Sequence, residues 1–185
     1  MIILSLGSNL PSKWGKRMET LSWAIEQLGA YRIDIIRQSA AYGSPPMTLN
    51  SKNSLNAHMA TQQTIDDDDL PDLYYVNINL MVKTSKGPAQ LLYCLKQIEQ
   101  AAGRAPGKRW ASRPLDIDII DYKGVICGAG IEYNQRKHAG FLPLTLPHPG
   151  LCKRAFVLKP LWQIAPFWHH PQNGKTASQL INTLK

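Results

Sequence analysis

Apolar and acidic side chains alternate in one short segment of the chain, Leu115-Asp-Ile-Asp-Ile-Ile120. Because successive side chains of a β-strand point to opposite faces, this alternation predicts a strand with Asp116 and Asp118 on one face. A second segment, Tyr75-Val-Asn-Ile-Asn-Leu-Met-Val82, alternates in the same way. Together they predict two strands of a sheet that has one apolar face and one polar face.

Four further elements are predicted before residue 120. They are a strand over residues 1–6, a helix from about Lys13 to Leu28 ended by Gly29, a strand from Tyr31 to Tyr42, and a helix from about Pro88 to Ala102. The helices are indicated by apolar residues three and four apart, and the strands by β-branched runs. The order strand, helix, strand, strand, helix, strand is typical of an α+β, ferredoxin-like βαββαβ core with both helices on one face. We expect the opposite face to be an open binding surface rather than a second core.

The rest of the chain is expected to add smaller elements to a single domain of residues 1–185. Lys123-Gly124 predicts a hairpin turn into a strand at Val125-Ile126, and helices are expected near Lys153–Leu158 and over Thr176–Leu184. Residues 48–74 are polar and aperiodic and contain an acidic run, Asp66–Asp69. They are therefore predicted to form a long, solvated loop inserted into the domain.

Charge and composition limit the partners and the compartment. The chain has 21 Lys and Arg against 13 Asp and Glu, a formal net charge of +8, which favours either nucleic acid or a phosphorylated small molecule. No apolar run approaches the roughly 20 residues that cross a bilayer, and no signal peptide is evident, so no membrane partner is expected. Three cysteines without metal or redox spacing (Cys94, Cys127 and Cys152) predict buried thiols and a reduced, cytoplasmic compartment.

The paired aspartates are the candidate reactive site. Two carboxylates with Cα atoms about 7 Å apart on one face repel each other unless a cation lies beside them, and hard oxygen ligands suit Mg²⁺. The segment just before them carries four basic residues: Arg104, Lys108, Arg109 and Arg113. A metal ion on paired carboxylates beside arginines is typical of phosphoryl transfer. A solvated strand face is the simpler alternative for the aspartates alone, and the absence of P-loop and His-Arg-Asp motifs excludes those two kinase classes.

Six motifs occur in one order over about 150 residues. They are Leu6-Gly-Ser-Asn-Leu10; Tyr42-Gly-Ser-Pro-Pro46; Tyr75-Val-Asn-Ile-Asn79; Ile98-Glu99 with Gly103-Arg104; Arg109-Trp-Ala-Ser-Arg-Pro-Leu-Asp-Ile-Asp-Ile-Ile120; and Pro147-His148-Pro149 with Arg154-Ala-Phe156. This set resembles the 6-hydroxymethyl-7,8-dihydropterin pyrophosphokinase family of folate biosynthesis. The resemblance implies an enzyme that transfers pyrophosphate from ATP to the hydroxymethyl pterin and releases AMP.

The resemblance also implies a role for each matching residue. Asp116 and Asp118 would hold two Mg²⁺ ions and would act in catalysis with Arg104 and Arg113. ATP would be bound by Glu99, Arg109, Trp110, Arg113, Ile119, His148 and Arg154. The pterin would be bound by Ser44, Met47, Tyr75, Asn77, Trp110, Asp116 and Phe156, with Tyr75 and Phe156 stacked on its ring. Arg104, Trp110 and Arg113 would lie on a closing loop, and the enzyme would be a monomer with small-molecule substrates.

The sequence leaves two alternative functions open. An RNA-binding module of RRM-like topology has the same strand and helix order and suits a basic protein. It needs several aromatics on the first and third strands, however, and paired carboxylates repel a phosphate backbone. A ferredoxin-like regulatory domain that binds a small ligand without turnover leaves the clustered arginines unexplained.

The sequence departs from the family pattern at four places. Ala111-Ser112 stands where the family commonly has Gly-Pro, Lys96 stands where it often has glutamine, and the loop before Trp110 is about one residue shorter. The fourth departure is the insertion, whose acidic run suggests a second hypothesis, that it folds over the basic site and competes with ATP phosphates.

Overall fold

The computed structural model describes residues 1–46, 70–72, 74–104, 113–128 and 144–184. The strands are β1 (Ile2–Ser8), β2 (Asp34–Gln38), β3 (Tyr42–Ser44), β4 (Tyr75–Lys83) and β5 (Asp116–Tyr122). The helices are α1 (Arg17–Ala30), α2 (Pro88–Ala101), α3 (Ala155–Ile164) and α4 (Ala177–Asn182), with a 3₁₀ turn at Leu151–Lys153. Within the described residues, the strands form one antiparallel sheet in the order β2-β4-β1-β5, and β3 also pairs with β4. The predicted α+β, ferredoxin-like core is confirmed.

The main core lies between the sheet and the first two helices. Alternate residues of the central strands point toward α1 and α2, and Leu4, Ile78 and Ile117 are 0 to 2 % exposed. Leucines of both helices meet them, among them Leu21 and Leu95, which are fully buried. Burying these apolar rows is what orients the sheet, because a slip of one residue would turn every polar side chain into the core.

The opposite face of the sheet is divided into two halves. At one end, α3 and α4 cover it and form a second core that includes Ile3, Ile120, Leu158 and Trp168. The expectation that this face has no second core is therefore wrong at that end, because α3 is longer and more apolar than the short helix expected there. At the other end no helix of the described residues covers the face, as predicted. We call this part the open half-face: Ser5, Gly7, Asn77, Asp116 and Asp118.

A bulge in β5 marks the boundary between the two halves. Leu4 pairs with Ile119 whereas Ile3 pairs with Asp121, so one extra residue is inserted on β5. A bulge of this kind turns neighbouring side chains to the same face. Ile120 accordingly joins the second core, and Asp121 accepts a hydrogen bond of 2.6 Å from the indole of Trp168 on that side.

Two predicted elements of the first half of the chain have different bounds. Helix α1 begins at Arg17 rather than Lys13 and continues through Gly29, and the left-handed residue after it is Arg32, with φ of 54°. The strand predicted over Tyr31–Tyr42 is two strands, β2 and β3. They are separated at Ser39, whose amide donates to the carbonyl of Asn79 at 3.0 Å and whose hydroxyl, in place of its carbonyl, accepts from the amide of Asn79 at 2.9 Å.

The C-terminal predictions are correct in part. The turn at Lys123-Gly124 is present, with positive φ at both residues, but Val125 and Ile126 are exposed and belong to no strand. In place of a hairpin strand, the described residues contain an isolated bridge between Cys127 and Leu146. Helix α3 is longer than the predicted Lys153–Leu158, and α4 is shorter than Thr176–Leu184.

Most of the predicted insertion, including Asp66–Asp69, lies outside the described residues. Its C-terminal end is held by Arg17 on α1, whose Nη1 donates to the carbonyls of Pro71 (3.1 Å) and Tyr74 (3.0 Å). Among the described helices, none has the length and apolar character that a membrane span requires.

Candidate functional site

The open half-face consists of two rows of side chains that cross three strands. In the first row, Gly7 of β1 lies between Asn77 of β4 and Asp116 of β5. In the second row, Ser5 lies between Asp118 and Asn79. Asn79 lies beyond the open half-face, because it is fully buried and its Nδ2 donates to the carbonyl of Val157 on α3 at 2.9 Å. The strand phase predicted from alternation is confirmed, since the isoleucines between these residues are buried on the helix side.

Asp116 is held by two arginines. Its Oδ1 accepts hydrogen bonds from Arg104 Nη1 at 2.7 Å and from Arg113 Nη1 at 3.1 Å. Burial alone would raise the pKa of this carboxyl, but the nearby charges of Arg113, Lys96 and Arg104 outweigh it and lower the pKa below its ordinary value. Asp116 is therefore ionised at neutral pH, as a ligand for a hard cation must be.

Asp118 faces a different pair of basic groups. Its Oδ2 lies 3.4 Å from Arg154 Nη1 and 3.5 Å from His148 Nε2. His148 Nδ1 accepts a hydrogen bond of 3.1 Å from the backbone of Gly150, so in the neutral ring the proton is on Nε2, toward Asp118. Burial lowers the pKa of His148, the charge of Asp118 opposes this shift, and Arg154 adds to it.

Glu99 lies beneath the two aspartates, and its side chain is 0 % exposed. Its Oε1 accepts from Lys96 Nζ at 2.6 Å and from the backbone of Ile117 at 2.7 Å. Its Oε2 accepts from Arg104, the same guanidinium that binds Asp116. Burial raises the pKa of Glu99, and the charges of Lys96 and Arg104 oppose that shift. Sequence reasoning noted Lys96 only as a departure from the family pattern and missed this ion pair.

A polar and aromatic group lies on the other side of Gly7. Asn77 Nδ2 donates to the carbonyl of Tyr42 at 3.1 Å and to Ser44 Oγ at 3.0 Å, which fixes the orientation of the amide. A Cβ on Gly7 would lie 3.2 Å from Asn77 Oδ1 and 3.6 Å from the ring of Tyr75. The structure thus brings Tyr75, Asn77 and Ser44 together beside Asp116.

Phe156 reaches the site from the first turn of α3. It is half-buried against the second core, and Arg154 lies with its guanidinium carbon 5.9 Å from the centre of the ring. Arg154 therefore links Phe156 to Asp118. A Cβ on Gly150 would come within 2.8 Å of Arg154 Nε, so a larger residue there would displace the side chain of Arg154.

Some predicted site residues lie elsewhere. Ile119 is 3 % exposed as a whole residue and lies in the main core, so its side chain is not available to a ligand. Met47, Arg109 and Trp110 lie outside the described residues. Sequence reasoning gave Asn9 no role, yet its Oδ1 accepts from the backbone of Arg113 at 2.9 Å and holds the start of the β5 segment. Its position in the motif Leu6-Gly-Ser-Asn-Leu10 was the available signal.

The number and type of acidic groups in this site indicate which metal ion it could bind. In the part of the chain that the structure describes, no cluster of three or more His, Cys, Asp or Glu side chains could hold a metal ion. Two carboxylates alone fit Mg²⁺, which keeps several waters and takes its remaining ligands from substrate phosphates. Fold and site together define a ferredoxin-like α+β protein with paired carboxylates ringed by arginines, a combination typical of phosphoryl-transfer enzymes.

Comparison with known proteins defines the family. The model of the 7,8-dihydro-6-hydroxymethylpterin-pyrophosphokinase (HPPK) family matches residues 3–166, and the chain belongs to this family. A 2-amino-4-hydroxy-6-hydroxymethyldihydropteridine pyrophosphokinase from Synechocystis is 40 % identical over 111 residues, which are 60 % of this chain and 51 % of that protein. The enzyme of that name from Aquifex aeolicus is 29 % identical over 186 residues, covering 100 % of this chain and 93 % of the relative.

The fold has solved counterparts as well. A crystal structure of Plasmodium falciparum HPPK-DHPS matches with a TM-score of 0.64 and 18 % identity, covering 98 % of this chain and 44 % of that one. This chain therefore matches about half the length of the Synechocystis relative and less than half of the Plasmodium protein. The alternative of an RNA-binding module of RRM-like topology is not supported by these comparisons.

Proposed function

We propose that this chain transfers pyrophosphate from ATP to 6-hydroxymethyl-7,8-dihydropterin in folate biosynthesis, giving the pterin diphosphate and AMP. One observation carries the proposal: on one sheet face, Gly7 separates Asn77, beside Tyr75, from Asp116, which is bound by Arg104 and Arg113. This arrangement offers a subsite for a flat heterocycle directly beside a subsite for phosphates. Family membership supports the same assignment.

The pterin is proposed to lie over Gly7 with its ring between Tyr75 and Phe156. Stacking on aromatic faces buries apolar area and orients a flat ring. The Nδ2 group of Asn77 is already engaged by Tyr42 and Ser44, so its Oδ1, which lies over Gly7, is the atom that accepts from the ring's amino or imino groups. Ser44, Met47, Trp110 and Asp116 complete the proposed pterin contacts.

Asp116 and Asp118 are proposed to hold Mg²⁺, and we expect two ions. When bound there, Mg²⁺ neutralises phosphate oxygens and favours attack at phosphorus. Each carboxylate now binds basic groups, Arg104 and Arg113 on one and Arg154 and His148 on the other. When a nucleotide binds, these basic groups are proposed to transfer from the carboxylates to phosphate oxygens, so that the carboxylates become available to the metal.

The nucleotide is proposed to bind along the free edge of β5. The backbone amide and carbonyl of Ile117 point toward that edge. The amide donates to Glu99, and the carbonyl oxygen lies 3.5 Å from Lys96 Nζ. Backbone polar groups of a strand face the same edge at every second residue, so those of Ile119 are proposed to contact the base. His148, Arg154, Arg113, Arg109 and Trp110 are the other proposed ATP contacts. Glu99, whose side chain is fully buried, is proposed to support this site through its bonds to Lys96 and Arg104.

The reaction is proposed to be one in-line displacement. The hydroxymethyl oxygen of the pterin forms a bond to the β-phosphorus, the bond from that phosphorus to the α,β-bridging oxygen breaks, and AMP leaves. The hydroxyl proton is released to solvent late in the step, so no dedicated general base is required. Arg104 and Arg113 stabilise the charge on the transferring group, and closure of their loop over the site excludes water.

Three further proposals concern the whole molecule. Residues 1–185 are proposed to act as one domain and as a monomer, because β1, β4, β5 and α3 of a single chain supply Gly7, Asn77, both aspartates and Phe156 without a second copy. A reduced compartment, such as the cytoplasm, suits the free thiols of Cys94, Cys127 and Cys152.

The product assay tests the proposed function. The protein is incubated with ATP, MgCl₂ and 6-hydroxymethyl-7,8-dihydropterin, and nucleotides and pterins are separated by chromatography. We expect AMP and pterin diphosphate in equal amounts and none after EDTA treatment. Formation of ADP in place of AMP, or no pterin-dependent turnover together with tight binding in an RNA filter assay, would refute the proposal.

A further inference from the structure

We propose that Asn79 is a positioning residue that holds Phe156 at its place opposite Tyr75 and Asn77. The inference rests on the proposed function, because it concerns the gap between Tyr75 and Phe156 in which the pterin ring is proposed to lie. Asn79 is 0 % exposed, so it does not touch the pterin or the reacting atoms and acts through the first turn of α3.

Asn79 connects the two walls of the proposed pterin gap. It lies on β4, the strand that carries Tyr75 and Asn77, and alternation turns its side chain to the same face of the sheet. Its Nδ2 donates to the carbonyl of Val157 at 2.9 Å, in a buried hydrogen bond. Val157 directly follows Phe156 in the first turn of α3. One hydrogen bond therefore joins the strand of one wall to the helical turn of the other.

The strand side of this connection is firmly held. The amide of Asn79 donates to Ser39 Oγ at 2.9 Å, and its carbonyl accepts from the amide of Ser39 at 3.0 Å. Both residues are buried. The backbone of Asn79 is thus fixed within the sheet, so its side chain can hold α3 at a constant distance from β4.

The helix side of the connection needs such support, because α3 contains a proline. In an α-helix each carbonyl accepts a hydrogen bond from the amide four residues later. The residue four positions after Phe156 is Pro160, which has no N–H to donate to the carbonyl of Phe156. The turn that carries Phe156 is therefore less tightly bound to the rest of α3, and the bond from Asn79 to Val157 compensates for this loss.

The second polar atom of the same side chain argues against a role in stability alone. Asn79 Oδ1 is buried and accepts no hydrogen bond from the residues that the structure describes. A buried acceptor without a donor lowers stability by at least as much as one hydrogen bond adds. An apolar side chain of similar shape would avoid that cost, so what Nδ2 holds in place explains the asparagine.

Pterin binding to Asn79→Leu tests this role. Leucine has a similar branched shape but donates no hydrogen bond, so the first turn of α3 is no longer held to β4. We expect the pterin Kd without nucleotide to rise about fivefold to tenfold in a calorimetric titration. The equilibrium constant for folding in urea is expected to stay within about threefold of wild type, because the unpaired Oδ1 is lost together with the bond. Asn79→Ala, which adds no bulk, is expected to weaken pterin binding by a similar factor.

Arg37→Leu is the matched control. It also removes a hydrogen bond from a strand side chain to a carbonyl of α3, since Arg37 Nη1 donates to Ile164 at 3.2 Å. Ile164 ends the helix, roughly two turns from Phe156. We therefore expect the pterin Kd of Arg37→Leu to stay within about twofold of wild type.

A second background shows whether the effect passes through the ring of Phe156. In Phe156→Leu there is no ring to position, so adding Asn79→Leu is expected to change the pterin Kd by less than about twofold. A purely structural role for Asn79 would instead give the same loss of affinity in both backgrounds.

The possible results separate this proposal from the proposed function. If the wild type forms AMP and Asn79→Leu leaves the pterin Kd unchanged, or weakens binding equally with and without the Phe156 ring, the positioning role is refuted and the proposed function stands. If the wild type binds the pterin but forms no AMP from ATP, the proposed function fails, whereas the four Kd values still decide the role of Asn79. If the wild type does not bind the pterin, both proposals fail.

Discussion

Gly7 on β1 lies directly opposite Asp116 on β5, so the proposed metal ligand and the pterin subsite are separated by a residue without a side chain. On its other side Gly7 pairs with Asn77, whose Oδ1 is 3.2 Å from the position that a Cβ on Gly7 would take. The site therefore depends on open space as much as on its charged groups, and this space can be tested by substitution.

Adding a methyl group at Gly7 is expected to weaken pterin binding. In Gly7→Ala the amide of Asn77 must move by a few tenths of an ångström, which disturbs its bonds to Tyr42 and Ser44. We expect the pterin Kd to rise roughly tenfold, the equivalent of about one hydrogen bond, in a fluorescence titration. Gly29→Ala is the control, because a Cβ at that helical position contacts nothing within 4 Å. An unchanged Kd in Gly7→Ala would place the pterin elsewhere.

Replacing a proposed metal ligand is expected to stop the chemistry without removing the pterin. In Asp118→Asn an anionic oxygen is lost beside Arg154 and His148. We expect kcat to fall by about a thousandfold or more, roughly 4 kcal/mol, with the nucleotide-free pterin Kd within about twofold of wild type. Asp34→Asn, on the exposed strand β2, serves as the control and should behave as wild type. Turnover within tenfold of wild type in Asp118→Asn would contradict the metal assignment.

Loss of either aromatic ring is expected to act first on pterin affinity. If Tyr75 and Phe156 stack on the pterin, Tyr75→Leu and Phe156→Leu should each weaken binding by about 1–3 kcal/mol, as base stacking does in other proteins. Tyr93→Leu removes a ring that is 57 % exposed on α2, away from the site, and is expected to have no effect. Calorimetry measures all three, and wild-type affinity in both site variants would exclude a stacked pterin.

The second core supplies a test of stability that does not depend on the reaction. Trp168 and Asp121 are 2 and 3 % exposed and share a hydrogen bond of 2.6 Å. Trp168→Phe leaves that carboxylate oxygen without its donor, so we expect a loss of about 2 kcal/mol in the free energy of unfolding by urea. Phe167→Leu, at a position that is 87 % exposed, should cost far less. Equal stability of the two variants would show that the hydrogen bond contributes little.

Local alternation predicted the part of the site that lies on the sheet. The members of each pair, Asp116 with Asp118 and Tyr75 with Asn77, are two residues apart on a strand. Because strand side chains alternate between the two faces, burial of the residue between them places both members on the opposite face. The six motifs then indicated the family, which the match over residues 3–166 confirms. The alternation lies within a few neighbouring residues, whereas the family signal comes from the order of six motifs over about 150 residues.

The features that were missed depend on contacts between distant parts of the chain. The bulge at Ile120 and Asp121 is stabilised by Trp168, 47 residues beyond Asp121, and no local pattern predicts it. One half of the sheet face is covered by α3, near the C-terminal end of the sequence, which packs on Ile3 near the N-terminal end. The ion pair of Lys96 with Glu99 is local, but its importance comes from burial beneath β5, which only the folded chain reveals.

The most direct test is a crystal structure with Mg²⁺, the pterin substrate and an ATP analogue whose α,β-bridging oxygen is replaced by carbon. We expect metal density on Asp116 and Asp118 and a pterin ring beside Asn77. We also expect the hydroxymethyl oxygen to lie about 3–3.5 Å from the β-phosphorus. A nucleotide bound away from the edge of β5, or metal bound away from both aspartates, would contradict this arrangement.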